Sequence, residues 1–218
     1  MTALSGPEIR NRLQAGDIKQ RLVVSPLLAP EEQLRDDQAA IDVRLGFEFA
    51  LVSASSHGMI DEFAPDSDLP HALDLAALYR KQYVALGNGL VIHPHQFILA
   101  VTLEYLRLPN DLMAYVIGRS TWGRLGLIVA TAAGVHPGYA GSLTLELRNL
   151  GETPLKLYPG QTIAQLFFHI VDVKEKASIP GGQYTGRVDI IPKKISSSAT
   201  REKILGIKSR NEPNHDEE

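Results

Sequence analysis

Leu143-Thr144-Leu145-Glu146-Leu147-Arg148 sets the character of this chain. Leu143, Leu145 and Leu147 fall on one side of an extended backbone and Thr144, Glu146 and Arg148 on the other. That is the period of two expected of a strand with one buried face. Turn chemistry bounds the stretch on both sides, with His136-Pro137-Gly138 before it and Asn149-Leu150-Gly151 after it. Further out the pattern repeats. Strands are predicted over 97–105, 112–117, 127–132, 142–148, 155–158 and 162–171, with Leu108-Pro109-Asn110-Asp111 and Tyr158-Pro159-Gly160 as additional separators. Short strands at this spacing predict a mainly β sandwich or barrel-like fold.

Toward the N-terminus, Ile41-Asp42-Val43-Arg44-Leu45-Gly46-Phe47-Glu48-Phe49-Ala50-Leu51 places its large apolar residues at odd positions, which predicts another half-buried strand. Ser5-Gly6-Pro7-Glu8 reads as a helix start. Ser5 is the N-cap, Pro7 lies in the first turn and Glu8 completes a capping box; Ile9, Leu13 and the stop at Gly16 outline a short amphipathic helix. Residues 56–75, rich in Asp, Pro, His and Ser, read as an exposed excursion, and a helical turn or two is expected over 73–86. Residues 196–218 lack apolar periodicity and are expected to form a flexible polar tail behind a domain spanning 1–195.

The bulk properties narrow the function classes. The 218 residues carry a net charge of −3, so no global positive field invites nucleic acid. No apolar run approaches the roughly 20 residues of a membrane helix, and Met1-Thr2-Ala3-Leu4-Ser5 does not resemble a secretory leader. A cytoplasmic protein is the expectation. Cysteine is absent. No disulfide can form, and the His/Cys/Cys or all-Cys zinc site of the metal-dependent nucleotide deaminases cannot be built. His93-Pro94-His95 does not replace it, because Pro94 fixes a turn and no carboxylate neighbour completes a metal site.

Two stretches carry chemistry. Gly118-Arg119-Ser120-Thr121 followed by Gly123-Arg124 gathers two guanidinium groups, two hydroxyls and permissive backbone, a set suited to phosphate oxygens. Taken alone it reads first as a polar turn with solvated arginines. Glu146 taken alone reads as a solvated carboxylate, or one paired with Arg148 two residues along the same face. Trp122 reads either as a packing residue at a subunit interface or as a cover for a bound nucleotide.

Taken together the segments resemble the dCTP deaminase family and, more distantly, the trimeric dUTPases. Ile41–Gly46 resembles the family's early strand. His93-Pro94, Leu99-Ala100-Val101-Thr102-Leu103-Glu104 and Leu108-Pro109 resemble its middle pair. Gly118–Thr121 with Arg124-Leu125-Gly126-Leu127 resembles its phosphate motif, and Pro137-Gly138-Tyr139, Gly141 and Leu145-Glu146 its catalytic hairpin. Tyr158-Pro159-Gly160-Gln161-Thr162-Ile163-Ala164-Gln165-Leu166 resembles the motif that follows. The resemblance implies a distorted, dUTPase-like β-barrel with a short N-terminal helix, assembled as a homotrimer with active sites at subunit boundaries. It implies hydrolytic deamination of dCTP to dUTP and ammonia, with Glu146 as the base that activates water. Arg119, Ser120, Thr121 and Arg124 would hold the triphosphate. Thr131, Ala132, His136, Tyr139, Thr144, Gln165, Tyr184 and Arg187 would complete the nucleotide site. Mg²⁺ would accompany the triphosphate, no zinc would take part, and dTTP would be a candidate inhibitor.

The chain departs from the family pattern at three places. His136 stands where the family has Asp beside the deoxyribose; a neutral imidazole accepts one hydrogen bond and an imidazolium none. Gly134 replaces a basic residue. In the C-terminal lid Tyr184 matches, while Gln183 and Arg187 stand at the family's Lys and Gln positions. The alternatives are therefore a dUTP diphosphatase, a bifunctional deaminase and diphosphatase, or a deoxynucleotide-binding protein without catalysis. Monofunctional trimeric dUTPases carry an apolar residue at the position of Glu146 and need the Asp that His136 replaces, so the deaminase reading leads.

Overall fold

The computed structural model describes residues 2–52, 78–131, 134–172 and 190. The chain divides into two compact units, Met1–Leu51 with Lys81–Ile190, and Val52–Arg80 with Ile191–Glu218. Apart from Val52 and residues 78–80, every described residue lies in the first unit. The polar tail expected from residue 196 lies outside the described residues.

In chain order the elements are β1 (Thr2–Ala3), α1 (Gly6–Gln14), β2 (Val23–Ser25), α2 (Pro30–Gln33), β3 (Ala40–Val52), β4 (Tyr79–Tyr83), β5 (Leu90–Ile92), β6 (Phe97–Arg107), β7 (Leu112–Gly118), α3 (Ser120–Arg124), β8 (Leu127–Val129), β9 (Gly134–Val135), β10 (Ala140–Asn149), β11 (Leu155–Leu157) and β12 (Thr162–Ile170). The expected mainly β architecture is present. One sheet runs in the order β8-β10-β6-β3-β12-β7-β9, with β1, β2 and β4 attached at its sides and β5 paired with β11 apart from it. The sheet curls until β7 reaches β8: a Cβ on Gly118 would lie 3.0 Å from Val129 Cγ2. A side chain at Gly118 would press against the Val129 side chain, so glycine suits this close approach. Among the described residues no helix is long and apolar enough to cross a membrane.

The alternation read from the sequence holds through β10. Leu143, Leu145 and Leu147 are buried with Ile98, Ala100, Leu106 and Phe168, while Thr144 and Glu146 are half-buried and Arg148 is exposed. Helix α1 begins as its capping box predicts, with the Ser5 N–H and hydroxyl each donating to the Glu8 carboxylate at 2.7 Å. The Ser5 N–H bond, with the hydroxyl's beside it, holds the Glu8 carboxyl below the usual range.

Two expectations are corrected. Tyr79–Tyr83 is a strand, not helix; the rest of the predicted helical stretch up to residue 77 lies outside the described residues, as does most of the excursion over 56–75. Strand β3 is not half-buried over 40–46, where both faces are covered, including Asp42 and Arg44 at 8% exposure each. The cause lies in the sheet. β6 pairs with β3 as far as Thr102 and with β2 from Tyr105, so a gap opens between β3 and β2. Backbone groups of β3 that lose a strand partner there need other partners. Glu104 supplies one by accepting the Arg44 N–H at 2.8 Å and Arg44 Nε at 2.7 Å. Gln33, from α2, donates to the Asp42 carbonyl and to Glu104, each at 3.1 Å. A buried ion pair whose carboxylate takes three donors fills the gap.

Candidate active site

The phosphate-motif residues sit on the single turn of α3 where β7 reaches β8. The turn is fixed from several sides. Arg119 N–H donates to the Ile163 carbonyl at 3.1 Å, and the indole N–H of Trp122 donates to the Thr162 carbonyl at 2.8 Å. Trp122 is thus tied to the start of β12 in its own chain. Gly126 ends the turn at φ +90°, and a Cβ there would meet the Gly151 backbone at 2.6 Å, so glycine is required twice over. Ser120, Thr121 and Arg124 are exposed, and their side chains have no partner among the described residues.

Arg119 is different. Its Nη1 donates to both oxygens of Asp42, at 2.6 and 2.5 Å, and Gln165 Nε2 donates to the same carboxylate at 2.9 Å. Three neighbouring strands make this meeting possible. Gln165 on β12 lies opposite Asp42 on one side and Ile117 on the other, two residues before Arg119.

Glu146 occupies the middle of β10, opposite Leu99 of β6. Its N–H donates to the Thr131 hydroxyl at 2.9 Å, and its carbonyl accepts from Ala130 N–H at 2.7 Å. Thr131 thereby extends the β8–β10 ladder past the last residue of β8, which ends at Val129 rather than at the predicted 132. The Glu146 carboxylate has no hydrogen bond or ion pair among the described residues, so the pairing with Arg148 that the sequence allowed is not made. Burial among the apolar strands pushes its carboxyl above the usual carboxylate range.

His136 is exposed and opens the turn before β10; its carbonyl accepts from Tyr139 N–H at 3.2 Å. The Tyr139 hydroxyl donates to the Ser142 carbonyl at 2.7 Å, and burial, with Tyr105 nearby, pushes that hydroxyl up to about 12. The Tyr139 hydroxyl proton is therefore engaged, which leaves a ligand the ring and the oxygen as an acceptor. Thr144 lies on the face of Glu146. Ala132, Tyr184 and Arg187 lie outside the described residues. Arg119 and Gln165 meet through Asp42, and Thr131 meets Glu146; no hydrogen bond or ion pair between described residues joins these two clusters within one chain. No group of three His, Asp or Glu side chains able to hold a metal occurs among the described residues.

A family profile described as dCTP deaminase-like matches residues 3–171. The chain belongs to the dCTP deaminase-like family. Within it, this chain is 38% identical over 192 residues to a dCTP deaminase of Natronomonas pharaonis, covering 84% of this chain and 87% of that one. It is 37% identical over 183 residues to a protein of Methanobrevibacter smithii named dCTP deaminase, dUMP-forming, covering 84% and 86%. The crystal structure of 2'-deoxycytidine 5'-triphosphate deaminase from Agrobacterium tumefaciens superposes with a TM-score of 0.56 at 23% identity. That match covers 78% of this chain but 48% of the other, about half its length, and supports the fold.

For this dCTP deaminase-like chain, the residue that sequence reasoning passed over is Asp42. It lies on the polar face of β3 with Arg44 and Glu48, and its charge on a strand was the signal. Its partners lie 77 and 123 positions away, where no local pattern reaches.

Proposed function

We propose that the site catalyses hydrolytic deamination of dCTP to dUTP and ammonia, with Glu146 as general base. The observation that carries this reading is a half-buried carboxylate that has no partner among the described residues and a raised pKa, on the strand where the family resemblance expects the base. A carboxylate in that state accepts a proton near neutrality more readily than a solvated one. Glu146 takes a proton from water and the hydroxide adds to C4 of the cytosine. The proton then passes to the exocyclic nitrogen, the C4–N bond breaks as ammonia leaves, and the proton of the C4 hydroxyl moves to N3, which leaves the ring carbonyl. Atoms balance as dCTP plus water to dUTP plus ammonia.

Arg119, Ser120, Thr121 and Arg124 hold the triphosphate, which arrives with its own Mg²⁺ as part of the substrate. Thr131 and Ala132 meet the base, with the Thr131 hydroxyl proton free to donate because its oxygen only accepts from Glu146 N–H. His136 and Tyr139 serve the sugar, Thr144 and Gln165 flank the pocket, and Tyr184 and Arg187, outside the described residues, are further nucleotide ligands. In line with the family resemblance, the working particle is a homotrimer with sites at its boundaries, about 72 kDa from three chains of 23.9 kDa. The setting is the cytoplasm, and dTTP competes through the triphosphate subsite.

A second reading follows from the relatives themselves, whose names divide between dCTP deaminase and its dUMP-forming kind. The dUMP-forming activity adds water at the α-phosphate of dUTP. We assign this chain to the dUTP-releasing kind, because His136 offers at most one acceptor where a carboxylate would offer two oxygens to place that water. The test is to incubate the protein with Mg·dCTP and separate the products. Equal dUTP and ammonia are expected. Accumulation of dUMP and pyrophosphate would overturn the role given to His136, and bound nucleotide without ammonia would overturn the deaminase reading.

A further inference from the structure

We infer that Asp42 is a positioning residue for substrate binding, presenting Arg119 to the triphosphate through a carboxylate shared with Gln165. The inference rests on the reading of Arg119 as a phosphate ligand given above. Asp42 is 8% exposed on β3, Arg119 follows β7, and Gln165 lies on β12 between those strands. Only Nη1 of Arg119 is used by Asp42; its Nη2 and Nε have no partner among the described residues. A guanidinium gripped by one nitrogen is fixed in orientation while its other donors remain available. That is what bidentate recognition of a phosphate requires and what a freely rotating arginine lacks. Asp42 is itself held, since its side chain takes the Gln165 amide and its carbonyl takes the Gln33 amide that also binds buried Glu104. The grip on Arg119 is therefore built into the gap-filling network of the barrel and does not depend on exposed side chains.

A negative charge beside an anion site has two opposite consequences, and their signs separate the possibilities. If Asp42 acted only through its charge, removing it would make the site more positive and tighten binding of Mg·dCTP. If it positions Arg119, removing it must weaken binding although the site becomes more positive. If it only supports the fold, the folded fraction would keep its KM.

The experiment is a double-mutant cycle with Asp42→Asn, Asp42→Ala, Arg119→Ala and the Asp42→Asn/Arg119→Ala pair, reading kcat, KM for Mg·dCTP and melting temperature. The near-isosteric Asn keeps the test open where Ala fails to fold. Asp42→Asn is expected to raise KM about tenfold with kcat within about threefold, and adding it to Arg119→Ala should change KM less than about twofold further. An unchanged or lowered KM in folded Asp42→Asn, or effects that multiply in the pair, would overturn the inference while leaving the phosphate role of Arg119 standing. An unchanged KM in Arg119→Ala would instead remove that role, and the inference with it.

Discussion

Glu104 and Glu146 lie on adjacent strands of one sheet, both withdrawn from water, and they have opposite surroundings. Glu104 is fully buried and engaged by Arg44 N–H, Arg44 Nε and Gln33 Nε2. Glu146 is half-buried and its carboxylate has no partner among the described residues. Withdrawal from water disfavours a charged carboxylate in both cases. At Glu104 a guanidinium and two N–H donors offset that cost, so the group is structural. At Glu146 no group among the described residues offsets it, so the group takes up a proton more readily, as the base proposed for water activation must. Burial alone does not distinguish the two carboxylates; what separates them is whether they have partners among the described residues.

Replacing Glu146 by Gln should give the largest effect. The amide keeps the shape and breaks no hydrogen bond or ion pair, but it cannot accept the proton from water. Ammonia release should fall by about 10²–10⁴-fold while dCTP affinity stays within a few-fold. Turnover near that of the unmodified protein would end the assignment of Glu146 as base.

Replacing Glu104 by Gln should reverse the pattern. The amide presents an NH2 where three donors converge and leaves the Arg44 guanidinium buried without a counter-charge. Loss of one member of a buried pair costs about 3–5 kcal/mol. Urea unfolding at matched protein concentration should show a loss of that order. A change within about 0.5 kcal/mol, the range of ordinary surface substitutions, would mean that the gap between β3 and β2 does not depend on this ion pair.

The difference between the two glutamates also shows what the sequence could and could not reveal. The strand carrying Glu146 was legible, because alternation of Leu143, Leu145 and Leu147 is local and its face is set by the pleat. So was α1, whose capping box lies within four residues. The surroundings of Glu104, Arg44 and Asp42 were not legible. Their polar side of β3 looks solvated in any local window, and only the exchange of β3 for β2 along β6 turns it inward. The helical reading of 79–83 failed for a related reason, since strand pairing outweighed a weak local pattern. The Arg119 turn was legible as a turn, but its composition left a phosphate role open and only the family resemblance favoured one. Its anchoring to Asp42 was not legible, because the order β3-β12-β7 is a property of the whole sheet.

The smallest predicted effect bears most directly on the comparison. Desolvation raises the Glu146 carboxyl in the folded chain relative to the unfolded one. Between the usual carboxylate value of about 4.3 and the raised folded value, the native state therefore holds more protons than the unfolded state. Stability must fall as pH rises through that interval, and the penalty then stays constant at higher pH. Glu146→Gln has no charge to desolvate and should escape the penalty. Its melting temperature should match that of the unmodified protein below about pH 4 and exceed it at neutral pH by about 1–2 °C, a small margin because partial exposure screens the site. Glu104→Gln should lose stability at neutral pH instead, since it breaks a satisfied pair. A Glu146→Gln variant less stable than its parent at neutral pH would show that the Glu146 carboxylate has a stabilising partner after all, and the contrast between the two glutamates would collapse.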